Sequence, residues 1–324
     1  MTIGIEDIAY HLPEQSISSR ELAARFGFSL PFLEEKLGVR SIFVAAPGEY
    51  SSDLAVMAVR SILQRRPEVL DRLGVLVVCT QTPDYQLPHT AALVQVKLGL
   101  PAKVACFDLG LGCSGYVYGL SVVKAFMESN GIEAGLLVTA ETYSKIIADD
   151  DRNTKPLFSD AAAATLLGHA PRLTVGRFTF GTSGAGADSL IVRRTDQYLG
   201  PRQHLHMDGR RVFELVAAVV PEDIRRCAAV NGMTLAGMDR FVFHQASLFM
   251  LQAIAKRLDV EGHKVFSCVE RFGNTVSSSV PIALHTLLVQ TGGEDICHIL
   301  ISGFGVGLSW ASTVLENCGG GWHV

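Results

Sequence analysis

The sequence has 324 residues, which exceeds one ordinary domain and is enough to bury a large hydrophobic core. Hydrophobic residues make up 48% of the chain and charged residues only 19%, a balance that favours buried apolar strands and a substantial oligomer interface. The formal net charge of −4 argues against bulk attraction to nucleic acid, so an acidic partner would need a local basic patch.

Cysteine usage and the N-terminus bear on the compartment. Seven cysteines, an odd number at uneven spacing, predict a reducing cytoplasm rather than a disulfide framework, and no Cys/His spacing resembles a metal site. The first residues, MTIGIEDIAYHLPEQ, lack a basic segment followed by an apolar one, so we expect no signal peptide. The longest apolar runs end well short of the ~18 residues that a transmembrane helix needs. The expected protein is cytoplasmic and not bound to a membrane.

Strand-like and helix-like runs alternate along the first half of the chain. GVLVVCT (74–80) predicts a strand, LPHTAALVQVKLGL (87–100) a helix and residues 104–109 a second strand. Apolar residues at helical spacing then predict a helix over 114–127, and AGLLVTAE (134–141) predicts a third strand.

Cys113 lies where the second strand gives way to a helix. Unpaired N–H groups and the positive end of the helix dipole are expected to stabilise a thiolate there, and Gly110 and Gly112 leave room for a substrate carbonyl. Because the thiolate is the nucleophilic form of cysteine, this position predicts a reactive residue. Four other cysteines are predicted to be small hydrophobic residues of the core: Cys79, Cys106, Cys268 and Cys297.

The second half of the chain repeats this alternation of predicted strands and helices. Its predicted strands and helices alternate at 240–246, 247–260, 264–269, 277–289 and 297–305. This order predicts two related α/β halves, residues 1–172 and 173–324, each with a mainly parallel sheet covered by helices. Residues 195–212 are polar and aperiodic, and they predict a surface excursion near a substrate entrance.

Two further polar residues follow strands in the second half. His244 ends an apolar strand, and Asn274 follows Gly273 in the segment ERFGNTVSSS before a helix. Each also has an ordinary structural interpretation, as a hydrogen-bonded strand-end histidine and as an N-cap or turn asparagine. Together with Cys113, at equivalent turns of a duplicated fold, they indicate cysteine-based acyl chemistry.

These motifs give the chain a resemblance to the β-ketoacyl-acyl-carrier-protein synthase III family of the thiolase superfamily. The matching segments are HLPEQ, GVRSIFVAAP, GCSGYVYGL, FSDAAAA, HQAS, RFGNTVSSSVPIAL and GFGVGLSW. The resemblance implies an α/β, thiolase-like fold with two pseudo-duplicated halves in a layered αβαβα arrangement. It also implies a decarboxylating Claisen condensation of an acyl-CoA with a malonyl thioester through an acyl-cysteine, without cofactor or metal.

By similarity, Cys113 would be the acylated nucleophile, and His244 and Asn274 would stabilise the carbanion formed on decarboxylation. The backbone N–H groups of Cys113 and Val306 would form the oxyanion hole, and Phe304 would screen the site from water. An amide donates to an enolate oxygen without titrating, whereas a carboxylate would repel it. Asn274 therefore favours carbon–carbon bond formation over simple acyl transfer.

The resemblance also assigns contacts with coenzyme A, and here the chain departs from the family. Phe32 stands where a tryptophan often stacks on the adenine, and Lys36 stands where an arginine is common. A phenylalanine can still stack, and a lysine can meet a phosphate as a point charge. Arg152 matches a CoA-phosphate arginine, and Gly209 belongs to the same substrate-binding set. Val306 interrupts the family's run of glycines, so either the backbone is ordinary there or the loop is re-aimed.

The expected partners are acyl-CoA, a second copy of the chain and, as an option, an acyl carrier protein. Lys256 and Arg257 fit a docking helix for an acidic carrier, although Phe249 stands where a basic residue is common and the two cations also suit a helix C-terminus. Leu87 matches a substrate-contacting residue that reaches the partner subunit's acyl tunnel, which implies a homodimer.

Three other functions stay open from the sequence. The protein could be a specialised secondary-metabolite enzyme that condenses a CoA-bound extender or transfers the acyl group without condensing. It could be a partner in a heteromeric synthase with a vestigial site, against which the intact Cys113, His244 and Asn274 argue. A papain-like hydrolase also uses these three residue types, but alternating α/β halves do not suit it.

Overall fold

The computed structural model describes residues 2–194, 202–293, 295–319 and 322. The strands are β1 (Gly4–His11), β2 (Ser16–Ser18), β3 (Ser41–Phe43), β4 (Leu73–Cys79), β5 (Ala105–Leu109), β6 (Ala134–Glu141), β7 (Ala161–Gly168), β8 (Leu173–Thr182), β9 (Leu190–Arg194), β10 (Arg202–Met207), β11 (Arg240–Phe243), β12 (Val265–Phe266), β13 (His298–Gly305) and β14 (Ser309–Asn317). The α-helices are α1 (Ser19–Phe26), α2 (Ser51–Arg65), α3 (Val69–Arg72), α4 (Thr90–Leu98), α5 (Gly115–Asn130), α6 (Gly209–Val230), α7 (Leu248–Leu258), α8 (Val269–Phe272) and α9 (Ser279–Thr291). A π-helical segment covers Phe32–Leu37.

Ten strands form one sheet, in the order β12-β11-β13-β14-β8-β1-β7-β6-β4-β5. The strands before residue 172 and those after it follow the same order outwards from the centre. β4 is parallel to β5 and β6, and β11 is parallel to β12 and β13. β1 and β8 join the two sets by antiparallel pairing of Gly4 and Ile5 with Thr174 and Leu173. The division of the chain at residue 172 into two halves stays a prediction.

The sheet as a whole is mixed, but each part of it is mainly parallel, as expected, because four of its five strands run in one direction and only β7 or β14 runs against them. β7 is antiparallel to β6 and β1, and β14 is antiparallel to β13 and β8. Only residues 306–308 separate β13 from β14. Parallel neighbours need a crossover of a dozen or more residues, so a link this short permits only an antiparallel hairpin.

Helices lie on both faces of the sheet and also between its two parts. α5 contacts β4 and β6 as well as β13 and β14, and α9 contacts β1 and β7 as well as β11 and β13. α2 and α4 cover strands of the first part from outside, and α6 covers β8, β13 and β14. The layered αβαβα arrangement that was expected is therefore confirmed. Strands buried on both faces are apolar almost throughout, as in β6, whose eight residues are all buried.

The cysteines follow the prediction only in part. Cys79 and Cys268 are buried, as expected. Cys106 is half-buried because β5 is the edge strand of the sheet. Cys297 is exposed, which contradicts its assignment to the core. It precedes the first residue of β13, and its backbone N–H is held at the surface by the Asp239 carboxylate at 2.8 Å.

The polar segment 195–212 divides into three parts. Residues 195–201 lie outside the described residues. The segment that follows them is β10, which pairs with β9 and buries Leu205, so the expectation of an aperiodic excursion is wrong for this strand. Met207, Gly209 and Val212 line the cavity described below, which agrees with a position near a substrate entrance.

Within the described part of the chain, no helix has the length and apolar character needed to cross a bilayer. The same residues contain no group of three histidine, cysteine or acidic side chains arranged to hold a metal ion.

Candidate active site

Cys113, His244 and Asn274 line one cavity with about 650 Å³ of empty space. Cys113 follows β5, His244 follows β11 directly, and Asn274 follows β12 and α8. β5 lies at one end of the ten-strand order and β11 and β12 lie at the other, so the packing of the two parts of the sheet brings the three residues together. Most of the remaining wall is apolar and includes Leu37, Leu157, Phe158, Leu190 and Phe304.

Glycines of β13 allow the second half of the chain to touch the nucleophile. A Cβ atom on Gly305 would lie 2.7 Å from the Cβ and 2.8 Å from the Sγ of Cys113. One on Gly303 would lie 2.7 Å from the Cys113 carbonyl oxygen. Only glycine permits backbone to approach this closely. The GFG segment therefore limits the position of Cys113 by direct contact.

Gly305→Ala should slow acylation of Cys113 by ~10²-fold, because the added methyl group must displace the sulfur and a shift of about 1 Å costs that much in a reacting pair. The initial rate of acyl-mass gain on intact protein measures this effect. Gly184→Ala is the matched control, since a Cβ atom there has no neighbour within 4 Å and the residue lines neither this cavity nor the second cavity described below. Equal rates in the two variants would contradict the steric argument.

Two backbone N–H groups face the nucleophile. Those of Cys113 and Val306 hydrogen-bond to the Cys113 thiol and act to lower its pKa. They are the groups assigned to the oxyanion hole. The Val306 turn is held in place by Ser309, whose Oγ donates to the Val306 carbonyl at 2.9 Å and lies 2.7 Å from Ser114 Oγ. The positive φ of the turn falls on Gly307, at 131°, so the backbone of Val306 is ordinary.

Burial raises the pKa of the Cys113 thiol to about 12, and the nearby Glu141 carboxyl adds to the rise. The expectation of a thiolate stabilised by the helix N-terminus is therefore wrong for this structure. Removing the sulfur from water disfavours its charged form more than the nearby N–H groups favour it. Cys113 is therefore a thiol at neutral pH, and a nucleophilic role for its sulfur would require loss of the thiol proton.

His244 is a neutral imidazole beside this thiol. Burial lowers its pKa to about 3, and a hydrogen bond to the Val276 backbone, which raises the pKa, offsets only part of this shift. Its Nδ1 lies 2.7 Å from Ser279 Oγ, and the Phe304 ring packs edge-on against it with centroids 5.6 Å apart. The residue thus has the structural contacts of an ordinary strand-end histidine and still lines the cavity.

The rate of acylation should show no inflection near pH 6.5. His244 is a base whose pKa is lowered from 6.5 to about 3, so it stays neutral until the solution is far more acidic. Cys113, with a pKa of about 12, stays a thiol across the same range. kcat/KM for loading reports groups of the free enzyme and should be flat from pH ~5 to ~7.5. A titration near 6.5 that disappears in His244→Ala would contradict this prediction.

The Asn274 side chain is oriented by its own turn. Its Oδ1 accepts from the Val276 N–H at 2.9 Å, and its backbone N–H donates to the Leu157 carbonyl at 2.9 Å. Since the amide oxygen is occupied, the two hydrogens on Nδ2 are the groups left to donate to a substrate oxygen. The turn role and the chemical role proposed for this residue are therefore compatible.

The residues assigned to coenzyme A lie at and outside the cavity. Gly209 and Phe304 line it. Phe32 stacks on Phe28 with ring centroids 5.0 Å apart, and the Arg152 guanidinium lies 4.9 Å from the centre of the same Phe28 ring. Phe28 was not identified from the sequence, and it contacts both assigned side chains.

The remaining assigned residues are on the surface. The Lys36 ammonium lies 6.0 Å from the centre of the Phe249 ring. Lys256 is exposed on α7, whereas the Arg257 guanidinium donates to the Ala217 carbonyl of α6. Leu87 is 84% exposed in the single chain, away from the residues that line the cavity.

A second cavity, with about 660 Å³ of empty space, has Val306 and Gly307 in its wall. Leu190 lines both cavities, so the two are neighbours. The wall of the second cavity also contains Ile146, Val192 and Leu205, which suit an apolar chain.

Comparison with known proteins gives the family. The model of 3-oxoacyl-[acyl-carrier-protein (ACP)] synthase III matches residues 107–197, and that of the C-terminal part of the same enzyme matches residues 228–317. The β-ketoacyl-[acyl-carrier-protein] synthase III of Deinococcus deserti is 33% identical over 99% of this chain and 93% of its own length. The chain therefore belongs to the 3-oxoacyl-[acyl-carrier-protein] synthase III family, and it is a condensing acyltransferase.

Solved structures agree with this assignment. The synthase III of Thermus thermophilus has a TM-score of 0.89 and 34% identity, covering 98% of this chain and 99% of that one. The priming β-ketosynthase of the R1128 polyketide pathway has a TM-score of 0.87 and 29% identity, covering 97% and 96%. The thiolase-like fold expected from the sequence is confirmed.

Proposed function

We propose that this enzyme joins an acyl group from acyl-CoA to a malonyl thioester with loss of CO₂, giving a β-ketoacyl thioester. The observation that carries the proposal is that Cys113, His244 and Asn274 line one cavity, with two backbone N–H groups directed at the sulfur. A nucleophile, a neutral base and an amide donor are the groups that the two half-reactions require.

In the first half-reaction the Cys113 sulfur attacks the thioester carbonyl, and neutral His244 takes the thiol proton. The oxyanion forms against the N–H groups of Cys113 and Val306. When the carbon–sulfur bond to coenzyme A breaks, the departing thiolate takes the proton from His244. The products are acyl-Cys113 and CoA, and His244 is neutral again.

In the second half-reaction the malonyl thioester loses CO₂, and its electron pair forms an enolate. His244 and the Asn274 amide stabilise the enolate oxygen by hydrogen bonding. The enolate carbon attacks the acyl carbonyl, and the tetrahedral oxyanion again meets the Cys113 and Val306 N–H groups. Its collapse expels the Cys113 thiolate, which takes a proton from water, so that each turnover consumes one solvent proton. No metal or redox cofactor is required by these steps.

Exposing the protein to a panel of acyl-CoAs and then to carboxyl-labelled malonyl thioester tests the proposal. The expected result is an acyl mass on Cys113, followed by release of labelled CO₂ and formation of a β-ketoacyl product. Supplying the malonyl group on CoA and on an acyl carrier protein identifies the extender. Acyl transfer without CO₂ release would replace this proposal with a non-condensing, secondary-metabolite acyltransferase.

We also propose a homodimer in the cytoplasm. Leu87 is 84% and Tyr85 58% exposed, and apolar side chains grouped on one loop are what a second copy would cover. An obligate interface is expected to bury above ~2,000 Å² in total. All seven cysteines are free, which suits a reducing compartment. A monomeric mass by sedimentation at micromolar concentration would contradict the dimer.

Lys256 is proposed to steer an acidic carrier protein. Lys256→Glu should raise KM for a carrier-bound malonyl substrate several-fold and leave KM for malonyl-CoA unchanged, since steering acts at long range and is screened by salt. Arg257 contributes less because its guanidinium is bonded to α6. Lys103→Glu, at an exposed position before β5, is the control. An unchanged carrier KM at low salt would exclude docking on α7.

A further inference from the structure

Glu141 is a buried carboxyl group to which the proposed reaction gives no role. It is the last residue of β6 and is 0% exposed. Its two oxygens accept hydrogen bonds from three donors: the Gln81 N–H, at 3.1 Å from one oxygen and 3.3 Å from the other, the Thr82 hydroxyl at 2.9 Å and the Ser277 hydroxyl at 2.9 Å. One side chain thus holds segments that are far apart in the sequence.

The first of these segments touches the nucleophile turn. The Gln81 side-chain oxygen accepts from the Tyr143 hydroxyl at 2.7 Å. The same oxygen occupies the space that a side chain on Gly112 would need. Because Gly112 directly precedes Cys113, the Gln81 loop is packed against the turn that presents the sulfur. The Glu141 carboxyl anchors this loop by accepting a hydrogen bond from the Gln81 backbone N–H.

The second segment holds the amide of Asn274. Ser277 directly follows Val276, whose N–H fixes the Asn274 Oδ1 at 2.9 Å. Val276 has a φ of 53°, in the left-handed region that a β-branched residue occupies only when its surroundings impose it. The hydrogen bond from Ser277 to Glu141 is one of the contacts that hold this turn.

We propose that Glu141 is a positioning residue that sets the Cys113 turn and the Asn274 turn relative to one another. It does so by the length of its side chain, since Oε1 accepts from Ser277 and Oε2 accepts from Thr82, and the Gln81 N–H lies within hydrogen-bond distance of both oxygens. Burial raises the pKa of the carboxyl to about 8, which favours the neutral form at pH 7. In that form its own O–H donates to the Thr82 or the Ser277 hydroxyl, so the bridge between the two turns does not require a negative charge. This inference rests on the proposed function, because it concerns the two half-reactions.

Two substitutions distinguish the contribution of the length of the Glu141 side chain from that of its carboxyl group. Glu141→Gln keeps the length and can still bond to all three partners, because hydroxyl groups accept as well as donate. Glu141→Asp keeps the carboxyl but is one CH₂ shorter and cannot span both sides. Glutamine should preserve both half-reactions within about threefold, whereas aspartate should slow condensation by ~10²-fold, as expected for a shift of about 1 Å. The reverse order would overturn the proposal.

Ser277→Ala gives a milder test if the aspartate variant fails to fold. It removes only the Asn274 side of the bridge, so CO₂ release should fall about tenfold while acyl-mass gain on Cys113 stays within about twofold. Equal effects on the two half-reactions, or no effect on either, would overturn the proposal.

Asp223→Asn is the control for replacing a buried carboxyl that accepts from hydroxyl groups, and Asp223 differs from Glu141 in also pairing with Arg226 at 2.6 Å. This buried carboxyl on α6 also accepts from hydroxyl groups, those of Thr179 at 3.1 Å and Ser312 at 2.8 Å, but it does not line the active-site cavity. Both half-reactions should be unchanged in this variant. If the parent protein loads an acyl group but releases no CO₂, the proposed condensation is refuted. In that case the rate of acyl-mass gain in the Glu141 variants still tests whether Glu141 positions the Cys113 turn through Gln81.

Discussion

Cys113→Ser should abolish the gain of an acyl mass from acyl-CoA, a loss of at least ~10³-fold in loading, while the protein stays folded. A serine hydroxyl is far less nucleophilic than sulfur, and the burial that raises the pKa of the thiol to about 12 makes an alkoxide less accessible still. Serine is slightly smaller than cysteine, so the contact with Gly305 is preserved without strain. Intact-protein mass spectrometry and thermal unfolding measure the two outcomes.

Cys297→Ser is the control for that experiment. Cys297 is exposed, so any non-specific acylation by a thioester should favour it over the buried cysteines. Its replacement should leave loading unchanged. If the Cys113→Ser protein still gained one acyl group, and peptide mapping located it on another cysteine, the assignment of the nucleophile would be wrong.

Asn274→Asp should slow condensation by ~10²-fold or more while Cys113 is still acylated. One aspartate oxygen can keep the bond to the Val276 N–H, so the turn should survive. The other oxygen replaces the Nδ2 donor, which removes a hydrogen bond to the enolate and adds repulsion when it is ionised. Labelled CO₂ release measures the second half-reaction, and acyl-mass gain measures the first.

Asn274→Ala completes the comparison because it removes the donor without adding a charge. It should also slow CO₂ release, by less than aspartate does if repulsion contributes. Equal losses of loading and condensation in both variants would refute a role confined to decarboxylation. They would point instead to Asn274 as a structural member of its turn.

Much of the fold, and the three residues that line the cavity, could be predicted from local pattern. The apolar run at 134–141 is β6 with the predicted bounds, and the glycine-punctuated segment around Cys113 is a strand-to-helix turn. His244 and Asn274 were selected because a polar side chain follows a strand at each position. Each of these signals spans only a few consecutive residues, so it can be recognised without knowledge of the rest of the chain.

Other features arise from contacts between segments far apart in the chain. The mixed sheet depends on which strands become neighbours, and strand–helix alternation does not specify this. Gly305 limits the position of Cys113 only because β13 packs against the nucleophile turn. Glu141 ends an otherwise apolar strand, a signal that marks an unusual residue but not its partners at Gln81, Thr82 and Ser277.

The alternation of strands and helices, the family resemblance and the residue types proposed to react can be predicted from sequence, because side-chain periodicity, turn residues and motif spacing are local properties. The protonation states of those residues follow from the folded structure. The helix N-terminus at Cys113 was expected to favour a thiolate, yet burial raises its pKa to about 12 and lowers that of His244 to about 3. Desolvation depends on everything packed around a group, most of which is distant in sequence, so it appears only when the chain is folded.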